Sequence, residues 1–228
     1  DRVFAFSQNL DLDQSKEFEK NPEARKGKWN KIVTLKNTPV FNKYNFSNED
    51  NKLTLTLKDK EIISININNF DERDDLAKKL IELESSLKND IRLMRNDEYP
   101  FYDTSISNKS MFNNSISLIN INSIRDFENK IDRKIEMSTF RGNLYFDGIE
   151  AWEERNWIGK TLKINNVLFK VEKNIPRCVA INLKPKTDDN SFNLLKILKQ
   201  TYDHYEMGVY LTPENDGEIN LSEKILIK

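Results

Sequence analysis

The sequence predicts an α+β fold of mostly antiparallel strands in a barrel-like arrangement with a few helices. Three observations lead there. "KLTLTL" (52–57) and "EIISINI" (61–67) alternate apolar and polar residues, as strands buried on one face do. "DERDDLAKKLIELESSLK" (71–88) puts Leu76, Leu80, Leu83 and Leu87 at helical spacing, with acids leading and lysines trailing. From residue 115 onward, short strand-like runs recur, with only two more helical stretches among them.

In chain order, "RVFAF" (2–6) reads as a strand and 7–30, polar and holding Pro22 and Gly27, as a long loop. "KIVTL" (31–35) is a strand candidate, and 52–57 with 61–67 form a hairpin around "KDK". The helix over 71–88 follows, then a loop with Pro100, where the domain boundary falls. This divides the chain into a smaller β-rich domain over 1–99 and a second domain over 100–228.

The second domain opens with a strand over 115–121. A helix over about 123–133 carries Ile124, Phe127 and Ile131 on one face, with Ser123 as its cap in "SIRD". Strands follow near 143–147, 161–165 and 167–172, the last two joined by Asn165-Asn166. A strand through Cys178, a helix over about 190–203, and strands near 207–211 and 218–226 complete the pattern.

Bulk properties exclude several functions. Net charge is −1, which argues against broad binding to nucleic acid or an anionic membrane, since both need a basic face. No apolar run approaches the roughly 20 residues of a membrane span. A single Cys and a single His exclude an intrachain disulfide, a self-contained Cys-ligated iron–sulfur centre and, nearly, a structural zinc site. The chain begins "DRVFAF", without Met and in mid-strand, and so reads as a piece truncated at its start.

Cys178 has two readings. It is either a small buried hydrophobe or, with Arg177 beside it, a nucleophile or soft-metal ligand, because a nearby cation favours a thiolate. A Cys–His hydrolase would need His204 as base, but His204 lies in a polar stretch after a helix and reads as a surface or capping residue. "STFRGNLYFDGIEAWEERNWIGKTLKI" (138–164) is the other dense region. Trp152 and Trp157 read as core or lid aromatics, and Glu153 and Glu154 as solvated. Arg141 and Asn143 alternate onto one strand face, where an arginine fork beside an amide suits a phosphate or a heteroatom-rich ring.

Taken in order, "FRGNLYFDG" (140–148), "WEERNWIGKTLKI" (152–164), "RCVAINLKP" (177–185), "LLKIL" (194–198), "MGVYL" (207–211) and "GEI" (217–219) resemble the molybdenum cofactor sulfurase C-terminal (MOSC) domain family. "DRVFAF" (1–6) is similar to a strand of the β-rich domain that precedes MOSC domains. The resemblance implies a molybdenum–molybdopterin cofactor with Cys178 as the metal's protein ligand, soft sulfur suiting molybdenum. It implies cofactor contacts from Arg141, Asn143, Arg177, Arg2 and Ser123, with Asn120 standing where the family often has Ser. A helix starting near Ser123 would offer free N–H groups to a phosphate. Departures are "LKPKT" where an acid before proline is usual, Gly142 where many members have Pro, and the missing start.

The function so implied is reduction of N-hydroxylated or N-oxide substrates at a Cys-ligated molybdenum, with electrons from a separate ferredoxin-, flavin- or haem-type donor protein. Two alternatives stand beside it: a sulfur carrier with a Cys178 persulfide, and a non-catalytic cofactor-binding module. A metal ligand belongs on the floor of a cleft, a sulfur carrier on an exposed loop. The strand-forming "CVAINL" favours the former. A cytoplasmic location is expected.

Overall fold

The computed structural model describes residues 3–87, 90–101 and 115–228. The chain forms two compact units, residues 1–109 with 186–188, and 110–185 with 189–228.

In the first unit, β1 (Phe4–Ser7) leads into α1 (Leu12–Lys20), which lies inside the stretch expected to be a loop. Its start is a capping box: Asp11 accepts from the Gln14 N–H at 2.8 Å while the Gln14 side chain reaches back to the Asp11 N–H at 3.3 Å. The helix has little apolar pattern to betray it, because it buries only Ser15 and Phe18. The expected strand at 31–35 is reduced to a single bridge between Ile32 and Ser7, since Thr34 and Asn37 then fold the chain back into a turn.

β2 (Tyr44–Glu49), β3 (Lys52–Leu57) and β4 (Lys60–Asn66) form an antiparallel meander. Its two-residue turns, Asp50-Asn51 and Lys58-Asp59, hold positive φ at both positions, the geometry whose twist matches a hairpin. The alternation seen in the sequence delivers Leu53 and Leu55 to the core. α2 (Phe70–Leu83) is capped by Asn69 and buries Leu76, Ala77 and Leu80. It ends short of 88 because Glu84 leaves the helix, its carboxylate held by the Tyr44 hydroxyl and Lys43, both at 2.5 Å. β5 (Arg92–Arg95), unforeseen, pairs with β1.

The second unit carries β6 (Ile116–Asn120), α3 (Ile121–Ile131), β7 (Leu144–Phe146), β8 (Thr161–Ile164), β9 (Val167–Pro176), α4 (Leu194–Tyr202), β10 (Glu206–Pro213) and β11 (Ile225–Ile227). One sheet runs β11-β8-β9-β10-β6-β7. All its pairs are antiparallel except β6 with β7, which are parallel because α3 is the crossover between them. The barrel-like expectation is met in part, by a curled half-barrel of mixed sheet with no pairing between β11 and β7 among the described residues. One face packs Leu118, Val171, Val209 and Leu211 around Trp157. The other packs Ile119 and Met207 against Ile124, Phe127 and Leu198 of the helices.

Two local expectations are corrected. The stretch after Cys178 is not a strand but a turn of 3-10 helix, Val179–Asn182, with Cys178 at its head. β9 ends at Pro176, and the Ile181 N–H turns back to the Cys178 carbonyl at 3.1 Å instead of continuing a ladder. Likewise Ser123 is not the cap of α3. Asn120 is, its Oδ1 accepting from the Asn122 N–H at 3.0 Å, so the helix starts before Ser123.

Candidate functional site

Cys178 is exposed, at the start of a short turn beyond the end of β9. Two polar side chains of the sequence expectation, Arg177 and Arg141, brace this turn, and Asn143 fastens the loop that carries Arg141.

Arg177 braces the turn. β10 carries a bulge between Glu206 and Val209, so one residue more stands on β10 than on β9 opposite. The Arg177 guanidinium takes the Met207 carbonyl with two donors, Nε at 2.9 Å and Nη2, while Nη1 donates to the Phe140 carbonyl at 2.8 Å. Its backbone N–H donates to Tyr205 at 2.7 Å. Gly208 makes the bulge possible: its φ is +79°, and a Cβ there would stand 2.5 Å from the Leu118 carbonyl oxygen. Burial pulls the Arg177 pKa down to about 10, an effect opposed by Tyr210, Tyr145 and the Cys178 sulfur.

Arg141 and Asn143 do not alternate along a strand. Arg141 stands in the left-handed region at φ 47°, ending a 3-10 turn over Met137–Phe140, and β7 begins only at Leu144. The loop is pinned at three points. Arg141 Nη1 donates to the Ala180 carbonyl of the cysteine turn at 3.0 Å. The Gly142 N–H donates to the Tyr145 hydroxyl at 2.8 Å. Asn143 Oδ1 accepts from the Ser117 N–H at 2.9 Å and from its hydroxyl at 2.8 Å. A Cβ at Gly142 would lie 2.7 Å from Ile119 Cδ1, so the Ile119 side chain would have to shift to admit one. Desolvation holds the Arg141 pKa below the ordinary arginine value, with the Cys178 sulfur and Tyr145 acting the other way. Arg141 thus bonds the cysteine turn directly, and Arg177 bonds the Phe140 carbonyl next to Arg141.

Asn120 and Ser123 lie elsewhere. Both are fully buried, and both donate to the carboxylate of Glu154, which is itself fully buried rather than solvated. Sequence reasoning missed Glu154, and the signal that could have found it was its place three residues before the core residue Trp157. Arg2 lies outside the described residues. His204 packs against the touching rings of Trp152 and Tyr202, its Nδ1 accepting from the Glu206 N–H at 3.2 Å.

A cavity of about 200 Å³ abuts the far end of the cysteine turn, bounded by Thr139, Ile181, Leu183, Phe192 and Leu194, and Cys178 does not line it. Among the described residues no group of three or more His, Cys, Asp or Glu could hold a metal ion. What the cysteine turn offers is one soft sulfur ligand beside guanidinium donors suited to an anionic group.

The MOSC domain model matches residues 103–225, more than half of the chain. The chain belongs to the MOSC domain family.

Among curated relatives, mitochondrial amidoxime reducing component 2 of Rattus norvegicus is 36% identical over 72 residues, 32% of this chain. The Bos taurus protein of that name is 25% identical over 111 residues, 49% of this chain. The matched parts span only 21% and 32% of those relatives. A solved structure, YiiM from Geobacillus stearothermophilus, aligns with 50% of this chain and 53% of its own at 18% identity and a TM-score of 0.40. No helix among the described residues is long and apolar enough to cross a membrane.

Proposed function

We propose that this chain binds a molybdenum–molybdopterin cofactor through Cys178 and acts as a molybdenum-dependent oxidoreductase on N-hydroxylated or N-oxide substrates. The observation that carries the reading is the exposed Cys178 thiol at the head of a turn that Arg141 grips through the Ala180 carbonyl, with Arg177, next to the cysteine in the chain, bonded to the Phe140 carbonyl of the Arg141 loop. With no protein cluster to complete a metal's coordination among the described residues, a metal here brings its other ligands with it, as a dithiolene cofactor does. Family membership and relatives named for amidoxime reduction point the same way.

In this reading Cys178 is the metal ligand and Arg141 faces the anionic part of the cofactor. Asn143 and Arg177 fix the two loops that carry them. When bound, the cofactor supplies the redox chemistry. Electrons come from a separate ferredoxin-, flavin- or haem-type donor protein, because one cysteine cannot hold an iron–sulfur centre.

A second reading, a sulfur carrier with a Cys178 persulfide, is favoured by one observation: the thiol sits exposed at the head of a turn. The test is to produce the full chain and its Cys178→Ala variant in a host rich in molybdenum cofactor and to measure molybdenum and pterin per chain. Near-stoichiometric metal in the parent, lost in the variant, supports the first reading. A metal-free parent with a persulfide on Cys178 by mass spectrometry overturns it in favour of the second.

A further inference from the structure

Glu154 is fully buried and makes no ion pair within 4 Å among the described residues, an expensive position for a carboxylate. Its hydrogen bonds have a fixed polarity. The Trp152 backbone N–H donates to Ser123 Oγ at 2.8 Å, so the Ser123 hydroxyl proton is directed to Glu154, whose oxygens lie at 2.8 and 3.1 Å. The Asn122 N–H donates to Asn120 Oδ1 at 3.0 Å, which turns Asn120 Nδ2 toward Glu154 Oε2 at 3.0 Å and the Glu150 carbonyl at 2.8 Å. Backbone N–H groups can only donate, so in both contacts Glu154 is the acceptor.

We propose that Glu154 is a positioning residue that fills, from within the chain, the acceptor place beside the first turn of α3. Asn120 and Ser123 then fasten the 147–157 loop, and the anionic part of the cofactor is taken on the Arg141 side. The inference rests on the cofactor reading above and corrects its residue set. A phosphate approaching the start of α3 would find both side-chain donors engaged and neither exposed.

The charged side chain acting on Glu154 is Arg155, itself paired with Glu206 of β10 at 2.8 Å, while Asp126, with Lys130 beside it on α3, and His204 contact the neighbouring Trp152. Burial pushes the Glu154 carboxyl above the usual range, while Asn120, Ser123 and Arg155 pull it back. A raised carboxyl leaves stability intact below the ordinary Glu range and lowers it as pH rises through the folded-state value.

The experiment uses the full chain from a cofactor-rich host, reading pterin per chain and the thermal midpoint between about pH 5 and pH 8. Ser123→Ala lowers the midpoint by about 3 °C or more and leaves pterin per chain unchanged, whereas Arg141→Ala lowers pterin on the order of tenfold. Glu154→Gln removes the titrating group, so its midpoint rises relative to the parent as pH increases. A Ser123→Ala protein that loses pterin as Arg141→Ala does, with its midpoint unmoved, overturns the inference. So do Glu154→Gln and parent curves that run parallel with pH. If the parent holds no pterin, the cofactor reading fails, and the Ser123→Ala midpoint alone decides whether Glu154 fastens the loop through Ser123.

Discussion

Replacing Arg177 by lysine keeps the charge and removes the fork. In the native chain three N–H groups of one planar guanidinium reach two carbonyls, those of Met207 and Phe140, on residues that are fully buried. A lysine ammonium is a compact point charge and can satisfy one of the two from a given position. The other carbonyl is left buried and unpaired, at about 1–3 kcal/mol, and a charge-assisted bond worth about 1.5–3 kcal/mol is lost with it. Allowing for relaxation of the bulge, Arg177→Lys should destabilise the second unit by about 2–4 kcal/mol, without any cofactor present. Urea denaturation followed by tryptophan fluorescence reads this directly, because Trp152 and Trp157 both lie in that unit. A loss below about 0.5 kcal/mol at unchanged m would refute the assignment of Arg177 as a brace of the cysteine turn.

Gly208→Ala should cost about 2–4 kcal/mol by denaturant titration, because it forces a left-handed residue with its Cβ against the Leu118 carbonyl. Arg25→Leu should destabilise the first unit by about 3–5 kcal/mol, since this buried guanidinium holds the carbonyls of Phe18, Glu19, Tyr99 and Pro100 and lies 4.1 Å from the Phe101 ring. A thermal midpoint equal to the parent's would sink that reading. Trp157→Phe should cost less than about 1.5 kcal/mol, whereas Trp157→Ala costs about 3–5 kcal/mol. The asymmetry arises from the void that alanine leaves, and Phe keeps the first cost low because the buried Trp157 indole N–H has no hydrogen-bond partner among the described residues, so losing it sacrifices nothing polar. A Trp157→Phe loss well above about 1.5 kcal/mol would refute an unbonded N–H at this position.

The sequence by itself determined whatever depends on residues close together along the chain. Period-two alternation located the β3–β4 hairpin and the β8–β9 pair, and period-3.6 spacing located α2 and the core face of α3. The ordered motifs between "FRGN" and "GEI" pointed to the family whose model matches 103–225. α1 escaped because its capping box opens a helix with almost no apolar stripe. The turn at Cys178 escaped because "CVAINL" has strand-forming side chains, and what overrides them is the end of pairing at Pro176. Only the tertiary structure decided the partners of the polar residues. Arg177 meets carbonyls 30 and 37 positions away, Arg25 meets one 74 away, and Ser123 meets Glu154 across 31 residues. A polar side chain looks the same in sequence whether water or a distant carbonyl will satisfy it. Burial makes that choice, and burial is a property of the packed fold.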